Sequence, residues 1–330
     1  MNRDKCTPHP PFQLDPDIQA NLDSLLEMIA QADMFAVVSF RTGPGRSEFS
    51  FFVEDHDDPE YAAYLNDSVW EDEEAQDAWV AMWRYTGERY RHNPIIAGYD
   101  LMVEPNAGGL FFDAYEPGEF YPAHAGTTYD WNQFYPRIAA AIREVDSQTP
   151  ILVGAMGHSA VAWLPYLQPI GDERTVYMVH QYEPMDFTHQ EPPRLVVTYP
   201  GELDLDFDGE VDPFNREWLD AQLSVVDAFV ASNGAPVSSN EFGPMRWQPG
   251  AARFMDDQME TFERRGMNHA LWDWAPSWDP YTSEVNGFNF RFGPDPSTTA
   301  DVDSSELMDV IASYWARNTV RPSDPGFVQP

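Results

Sequence analysis

One glutamate closes a short apolar run, where a carboxylate has to be desolvated, paired or chemically active, and a second lies near the end of a later predicted strand. Glu104 ends the stretch GYDLMVE, and Glu241 lies in the stretch PVSSNEFG. Paired carboxylates at strand ends can cleave a glycosidic bond, because one protonates the leaving oxygen while the other attacks the anomeric carbon or activates water. A separation of about 5–5.5 Å between them would indicate retention of configuration. The alternative for Glu104 is a structural carboxylate paired with Arg41 or a tyrosine.

Further candidate binding side chains follow or end other predicted strands. They are Arg41, Asn106, His180, Tyr182, Trp272 and Trp274. Tryptophans beside paired carboxylates can stack on the faces of sugar rings. His180 has the alternative of a satisfied core histidine. Trp272 and Trp274 alternate along their predicted strand, so only one of them needs to touch a ligand.

The segment LDLDFDGEVD, residues 203–212, carries alternating carboxylates around a glycine. The pattern is that of the start of an EF-hand-like loop, which wraps a hard cation, and it predicts a possible structural Ca²⁺. The candidate ligands are Asp204, Asp206, Asp208, Glu210 and Asp212. Position 12 of such a loop is Asn215 instead of glutamate, so the helix–loop–helix form is incomplete. A solvated acidic turn is the alternative.

Other chemistries find little support in the sequence. The stretch GHSAV, residues 157–161, approaches a hydrolase nucleophile elbow, but valine stands where the second glycine is required. Gly43-Pro44-Gly45 lacks the remaining spacing of a dinucleotide or phosphate loop. No group of histidines and cysteines has zinc spacing.

Strand-like and helix-like patterns alternate along the chain and would position these residues. Asp15 is a candidate N-cap before Pro16, and apolar residues then recur at helical spacing from Ile18 to Ile29. Further helices are predicted around residues 79–83, 131–145, 218–233, 250–265 and 307–315. Strands are predicted at residues 34–40, 95–103, 150–156, 175–182, 236–243 and 268–276.

This alternation predicts parallel strands with helices packed outside. The length of 330 residues favours one TIM-type (β/α) barrel, a single α/β domain over residues 1–330. About six strands are predicted where a complete barrel has eight, and residues 1–17 are too few for two more units of roughly 30 residues each. Either the barrel is incomplete at its N-terminus or the reading frame has lost its beginning. Exposed strand edges would then favour a homo-oligomer.

The charge balance excludes several classes of partner. Asp and Glu together number 55 against 19 for Lys and Arg, giving a net charge of −36, and Lys5 is the only lysine. Such a surface repels nucleic acid and anionic membranes, so we expect neither as a partner. The acid excess favours a protein that stays soluble in high salt, where screening relieves self-repulsion. An acidic protein from an ordinary habitat is the alternative.

Targeting signals are absent from the sequence as it stands. No apolar run reaches the roughly 18 residues of a membrane span, and the N-terminal residues carry no apolar signal-peptide core. Cys6 is the only cysteine, so an internal disulfide is excluded. These features fit a reducing compartment, or a large secreted enzyme that needs no disulfides.

Four stretches resemble, in order and spacing, the signature strands of glycoside hydrolase family 5, the cellulase-like retaining enzymes with a (β/α)8 barrel. They are HNPIIAGYDLMVEPN, VHQYEPMDFTHQ, SSNEFG and ALWDWAPS. The resemblance implies that Glu104 is the acid/base and Glu241 the nucleophile. It also implies that His180 and Tyr182 position the substrate and the nucleophile carboxylate, and that Trp272 is the stacking platform at the reaction centre.

The same resemblance implies the activity. We expect hydrolysis of a β-linked glucan, such as cellulose, or of a mannan, with a carbohydrate as the partner and no cofactor required for catalysis. Secretion is expected from the family, and a cytoplasmic location if the chain has no leader.

The sequence departs from the family pattern at three places. Val103 stands where the family has an asparagine that binds the sugar 2-hydroxyl, which should weaken transition-state binding by a few kcal/mol. The family arginine beside the nucleophile lies on a second strand that our count does not find. The third strand of the family usually ends in histidine, whereas this sequence has Ser39-Phe40-Arg41 at that place. Arg41 is the candidate for the missing positive charge. The competing hypothesis is therefore a degenerate barrel that binds carbohydrate or self-assembles without cleaving.

Overall fold

The computed structural model describes residues 10–47, 65–274 and 282–324. The strands of these ranges are β1 (Ala36–Ser39), β2 (Ile96–Asp100), β3 (Ile151–Gly154), β4 (Thr175–Gln181), β5 (Gly201–Leu203), β6 (Asp212–Phe214) and β7 (Val237–Phe242). Their α-helices are α1 (Pro16–Gln31), α2 (Glu73–Tyr90), α3 (Ala107–Phe112), α4 (Pro117–His124), α5 (Trp131–Arg143), α6 (Met185–Thr188), α7 (Arg216–Gln222), α8 (Ser224–Asn233), α9 (Ala251–Arg264), α10 (Thr282–Phe288) and α11 (Glu306–Trp315). Short 3₁₀ helices lie at Ser68–Trp70, Val161–Tyr166 and Phe290–Phe292.

The chain forms two compact units. The first runs to Met178 and includes the segment from Val320, and the second is Val179–Thr319. In the first unit β1, β2, β3 and the start of β4 pair in that order as parallel strands. In the second unit the strand order passes from β4 to β7, and β5 pairs with β6 antiparallel. A single domain over residues 1–330 stays a prediction.

The first helix begins as its sequence predicts. The side chain of Asp15 accepts hydrogen bonds from the amides of Asp17, at 2.8 Å, and Ile18, at 3.4 Å, while Pro16 occupies the first turn. These contacts satisfy amides that have no partner inside the helix. The predicted start of α1 is confirmed.

Helix α2 packs against the chain just after β2 through two tryptophans. Trp79 and Trp83 are fully buried. Both indole N–H groups donate to the carbonyl oxygen of Leu101, at 3.1 and 2.8 Å. The peptide that leads out of β2 is therefore fixed from the helical side.

Helix α5 is anchored to the neighbouring strand in the same way. The N-cap Asp130 accepts from the amide of Asn132 at 3.0 Å. The indole N–H of Trp131 donates to the carbonyl oxygen of Gly154, the last residue of β3, at 2.9 Å. The ends of β2 and β3 are thus both held by buried indoles.

In the second unit, helix α9 covers β7 and the end of β4. The rings of Phe242 and Phe262 meet edge to face with centroids 5.0 Å apart. The side chain of Gln258 donates to the carbonyl oxygen of Gln181 at 3.3 Å. The helix predicted for residues 250–265 therefore packs on the strands that carry site residues.

The sixth predicted strand, residues 268–276, is not a strand over its described part, which ends at 274. It forms one parallel bridge, between Ser239 and His269. The amide of Ala270 donates to Ser239 at 2.9 Å, and the amide of Trp272 donates to Phe242 at 3.1 Å. Between these two hydrogen bonds the segment advances two residues, from Ala270 to Trp272, whereas β7 advances three, from Ser239 to Phe242. The extra residue in β7 interrupts the ladder as a β-bulge does.

A search of the described residues finds no helix that is both long and apolar enough to cross a membrane.

Candidate active site

Glu104 lies in the first unit, four residues beyond the end of β2. Leu101 and Met102, which lead to it, are fully buried, and the Glu104 side chain is 14% exposed. Its backbone φ is 50°, in the left-handed region that non-glycine residues seldom adopt. Such a conformation costs on the order of 1–2 kcal/mol and persists where the surroundings fix it.

A buried arginine holds this turn. Arg46 is 2% exposed, and its guanidinium donates to the carbonyl oxygens of Val103 at 2.5 Å and Glu104 at 2.8 Å. From the other direction, the amide of Val103 donates to the carbonyl oxygen of Phe40 at 3.1 Å. The peptide groups on both sides of Val103 are therefore fixed, and they aim the side chain of Glu104.

Asn106 caps helix α3. Its Oδ1 accepts from the amide of Gly109 at 3.1 Å, and its Nδ2 lies 2.6 Å from Nε2 of His158. The predicted role of Asn106 as a sugar ligand stays a prediction, and in the structure both ends of its amide already make hydrogen bonds.

The loop after β3 brings His158 to Glu104. Nδ1 of His158 lies 3.6 Å from Oε2 of Glu104. Gly157, His158 and Ser159 have φ angles of 69°, 58° and 59°. A Cβ on Gly157 would lie 2.2 Å from the ring of Trp163, so the close approach requires glycine. This left-handed run turns the imidazole back toward the end of β2.

Glu241 lies in the second unit, on β7, and two predicted neighbours surround its carboxylate. The hydroxyl of Tyr182 donates to Oε1 of Glu241 at 2.9 Å. Nδ1 of His180 is 3.8 Å from Oε2, and the His180 side chain is only 3% exposed. The Glu241 side chain is 15% exposed. Both oxygens are therefore oriented by groups on one strand end, leaving a small open face.

The interruption of the ladder falls at this glutamate. β7 gains its extra residue between Ser239 and Phe242, the stretch that contains Asn240 and Glu241. Bulges re-aim a side chain and are frequent beside active sites. Gly243 follows with φ of 139°, and a Cβ there would lie 3.2 Å from the carbonyl oxygen of Trp272.

Tyr182 is held from behind. Its carbonyl oxygen accepts from the hydroxyl of Thr188 at 2.6 Å. Its ring packs edge-on against those of His189 and Phe288, with centroid distances of 5.4 and 5.6 Å. The phenol therefore has little freedom to leave Glu241.

The two predicted sugar-stacking tryptophans differ in exposure. Trp274 is 57% exposed, and the guanidinium carbon of Arg291 lies 4.6 Å from its ring centroid. Its ring also contacts Phe290 and Trp315. Trp272 is half-buried beside β7. Sugar stacking by either residue stays a prediction.

Asp273, between these tryptophans, is a buried carboxyl that sequence reasoning missed. It is 4% exposed, and neither oxygen has a hydrogen-bond partner among the described residues. Burial raises the pKa of Asp273 to about 7, with smaller contributions from the negative charges of Glu284 and Glu241, opposed by Arg291. This carboxyl is therefore neutral over much of the acidic range.

The remaining predicted binding residue, Arg41, lies half-buried two residues after β1. Within the first unit the structure groups Glu104 and Asn106. Within the second it groups His180, Tyr182 and Glu241. The side chains that sequence reasoning missed are Arg46, His158 and Asp273. Of these three, only His158 lies in a motif considered above, the GHSAV stretch that approaches a nucleophile elbow.

The acidic segment is a hairpin loop and not part of a helix–loop–helix. β5 precedes it and β6 follows it. Asp204, Asp206 and Asp208 each offer a carboxylate oxygen within 4.8 Å of the others. Asn215, at position 12, caps helix α7 by accepting from the amide of Trp218 at 3.1 Å. Three close carboxylates suit Ca²⁺, which prefers six to eight oxygen ligands, but the position 12 ligand is committed elsewhere.

Parallel strands alternating with helices, with glutamates just beyond or near strand ends, are the arrangement found in (β/α)-barrel glycoside hydrolases. The family model described as Cellulase (glycosyl hydrolase family 5) matches residues 2–277, and the chain belongs to that family. The sequence resemblance is confirmed. The fold class, an incomplete TIM-type (β/α) barrel, is confirmed as well, with five strands in the main sheet of the described ranges and the strand-like segment 268–272.

Individual relatives are distant. Endoglucanase C of Acetivibrio thermocellus is 26% identical over 131 residues, which are 39% of this chain and 32% of the relative. Cellodextrinase A of Ruminococcus flavefaciens is 23% identical over 223 residues, 67% of this chain and 56% of the relative. Cel5A of Thermotoga maritima, solved with mannotriose, has a TM-score of 0.64 at 15% identity, covering 93% of this chain and 82% of that one. The matched region thus spans about a third to a little over half of these two curated relatives.

Proposed function

We propose that the protein is a retaining glycoside hydrolase that cleaves a β-linked glucan or mannan, with Glu104 as acid/base and Glu241 as nucleophile. One observation carries the proposal. In a chain of family 5, the strand-end carboxylate of Glu241 receives the hydroxyl of Tyr182 on one oxygen and faces His180 with the other. A fixed carboxylate with one open face is suited to in-line attack on an anomeric carbon.

The reaction has two steps. First, Glu241 attacks the anomeric carbon while Glu104 gives its proton to the departing glycosidic oxygen, which leaves a glycosyl ester on Glu241. Next, Glu104 takes a proton from water, the water oxygen attacks the same carbon, and the ester bond to Glu241 breaks. The two inversions restore the original configuration. Tyr182 and His180 keep the nucleophile oriented through both steps.

We infer the substrate class from the relatives' names and from the aromatic residues at the site. The relatives named endoglucanase and cellodextrinase favour a β-glucan as substrate. The structural neighbour solved with mannotriose supports mannan as a second candidate. The proposed substrate-binding residues are Arg41, Asn106, His180, Tyr182, Trp272 and Trp274. The alternative of a barrel that binds sugar without cleaving it is supported by Val103, but the family and its endoglucanase and cellodextrinase relatives do not favour it.

The test is a panel of soluble β-glucans and mannans assayed with wild type, Glu104→Gln and Glu241→Gln. Exposed glutamates on the same units, Glu27→Gln and Glu191→Gln, are matched controls. We expect both site variants to lose at least a hundredfold in kcat and the controls to stay active. A 2-deoxy-2-fluoro glycoside should label the peptide that contains Glu241, and NMR should show the product anomer retained. Sugar binding with no turnover by wild type would overturn the proposal.

Three further expectations stay predictions. A Ca²⁺ ion in the loop of Asp204, Asp206, Asp208, Glu210 and Asp212 would appear as saturable binding in calorimetry, lost in Asp204→Asn. A homo-oligomer would appear in light scattering as a mass above 37.6 kDa, and a clean monomer would count against it. Secretion would appear as the protein in the culture medium of its source organism instead of inside the cells.

A further inference from the structure

The cap of helix α3 fixes the orientation of an amide beside the proposed proton donor. Oδ1 of Asn106 accepts the N–H of Gly109 at 3.1 Å, and a carbonyl oxygen is the group that can accept there. The amino group Nδ2 must therefore face His158, whose Nε2 is 2.6 Å away. The helix cap thereby removes the ambiguity between the two ends of the amide.

The amide orientation in turn fixes the tautomer of His158. Nδ2 of Asn106 can only donate, so Nε2 of His158 must accept and carries no proton. The neutral ring then holds its proton on Nδ1, the nitrogen that lies 3.6 Å from Oε2 of Glu104. Protonating Nε2 would set two donors against each other at 2.6 Å.

We propose that His158 is a positioning residue that determines which oxygen of the Glu104 carboxyl carries the proton. The proposal rests on the proposed function of Glu104 as acid/base. Oε2 faces the N–H of His158 and acts as an acceptor, so the proton of the acid form resides on Oε1. Oε1 is thereby designated as the oxygen that protonates the leaving group and later accepts the proton of water.

A neutral donor suits both steps of the cycle. An imidazolium would stabilise the ionised glutamate and oppose the acid form that the first step needs. A neutral N–H can donate to Oε2 when Glu104 is protonated on Oε1, and it can donate to the same oxygen when Glu104 is ionised. His158 thus keeps one oxygen occupied while Glu104 gives up and regains its proton at the other.

Main-chain contacts hold the loop that carries His158. The amide of His158 donates to the carbonyl oxygen of Pro105 at 3.4 Å, and the amide of Ala107 contacts Sδ of Met156 at 3.3 Å. The loop after β3 is therefore tied to the chain on both sides of Asn106. The Nδ1–Oε2 distance is slightly beyond hydrogen-bond length, and such contacts tighten when substrate binds.

The first experiment reads the tautomer without any substrate. In ¹⁵N NMR of the wild type, assigned with His158→Asn, we expect Nε2 to be unprotonated and Nδ1 to carry the proton at neutral pH. Asn106→Asp keeps a good N-cap but places a carboxylate oxygen against Nε2. We expect that variant to show a proton on Nε2. A proton on Nε2 in the wild type would overturn the proposal.

The second experiment compares three replacements of His158 kinetically. Asn places an N–H where Nδ1 lies and tolerates the left-handed backbone. Gln places its amide nearer to Nε2, and Phe keeps only the ring shape. We expect His158→Asn to stay within about fivefold of wild type in kcat. His158→Gln and His158→Phe should lose at least tenfold, mainly in kcat and more for poor leaving groups than for dinitrophenyl glycosides.

The outcomes separate the two proposals. If wild type cleaves no glycan, the proposed function fails while the tautomer result still stands or falls by NMR. If wild type cleaves but His158→Phe equals His158→Asn across leaving groups, the positioning role is wrong. Thermal unfolding of each variant identifies a loss that comes from misfolding, because it would affect all substrates equally.

Discussion

Tyr182 donates its hydroxyl hydrogen to Oε1 of Glu241 across 2.9 Å, joining the chain just beyond β4 to β7 in the second unit. The phenol is braced by Thr188 and by the rings of His189 and Phe288. The hydrogen bond therefore restricts rotation of the Glu241 carboxylate in addition to stabilising its negative charge. Glu241, the proposed nucleophile, has therefore lost its rotational freedom before substrate arrives.

Replacing Tyr182 with Phe should slow turnover while leaving the fold intact. We expect kcat to fall about ten- to a hundredfold and KM to change little, since a hydrogen bond to a charged group is worth about 1.5–3 kcal/mol. Tyr314→Phe is the control, because that hydroxyl donates to Asp256 in the same unit. Initial-rate kinetics decide it, and equal loss in both variants would contradict a specific role.

Replacing Val103 with Asn should raise activity. The family asparagine contacts the sugar 2-hydroxyl, an interaction that strengthens in the transition state. Val103 is half-buried, and its main chain is already fixed by Phe40 and Arg46, so the new amide would be presented on a rigid turn. We expect kcat/KM to rise at least tenfold on glucans. A 2-deoxy substrate should show no gain, and a gain there would mean another cause.

Asp273 should make stability depend on pH. Its pKa is raised to about 7 from an ordinary 3.8, so the folded state binds this proton more tightly than the unfolded state does. The contribution of protonated Asp273 to the free energy of unfolding is fully present below pH 3.8 and is lost as pH rises through 7. Relative to wild type, Asp273→Asn should therefore gain on the order of 3 kcal/mol between pH 5 and pH 8.

Denaturant unfolding at several pH values measures this difference. The exposed Asp303, for which Asn is again the substitution, is the control and should show a constant offset. A parallel pair of curves for wild type and Asp273→Asn would show that the buried carboxyl is ionised throughout this range.

Replacing Arg46 with Gln should loosen the turn that carries Glu104. The buried guanidinium donates to two carbonyl oxygens, of Val103 and Glu104, and glutamine cannot reach both. We expect a loss of about 2–4 kcal/mol in the free energy of unfolding and a lower kcat. The exposed Arg194→Gln is the control. Unchanged kcat with reduced stability would show that the clamp serves folding alone.

Salt should stabilise the whole chain. A net charge of −36 repels itself in the folded state, and the Debye length shrinks from about 10 Å at 0.1 M to 3 Å at 1 M salt. We expect the melting temperature to rise steadily with NaCl over this range. Differential scanning calorimetry measures it, with equal molalities of sucrose as the non-ionic comparison. A flat salt dependence would favour the ordinary-habitat interpretation of the charge.

The sequence predicted those elements whose signals are local. Helix α1 has its cap and its apolar period within one stretch, and the pair Trp79 and Trp83 marks the buried face of α2. Glu241, Tyr182 and His180 could be grouped because parallel strands end on the same side of a sheet. These predictions needed no knowledge of which loop meets which.

His158 and Arg46 could not be predicted, because their roles depend on contacts between distant segments. His158 is 52 residues from Asn106, and Arg46 is 58 from Glu104. The loop at Gly157 has no periodicity, and its left-handed run decides where the imidazole points. Hydrophobic pattern carries no information about such a turn.

The segment 268–276 was predicted as a strand because its residues alternate. Alternation describes one chain, whereas a strand also requires a partner in register. The extra residue of β7 near Glu241 breaks that register. Similarly, the acidic loop matched an EF-hand by spacing, but the flanking β5 and β6 are set by pairing that the motif does not encode.

The left-handed backbone of Glu104 has an evolutionary consequence. At φ of 50° every L residue carries a conformational penalty that glycine escapes. Glycine at this position would make the folded state more stable, whereas the proposed acid/base role requires a carboxylate. Retention of glutamate at position 104 is therefore expected only where its proposed acid/base role is under selection.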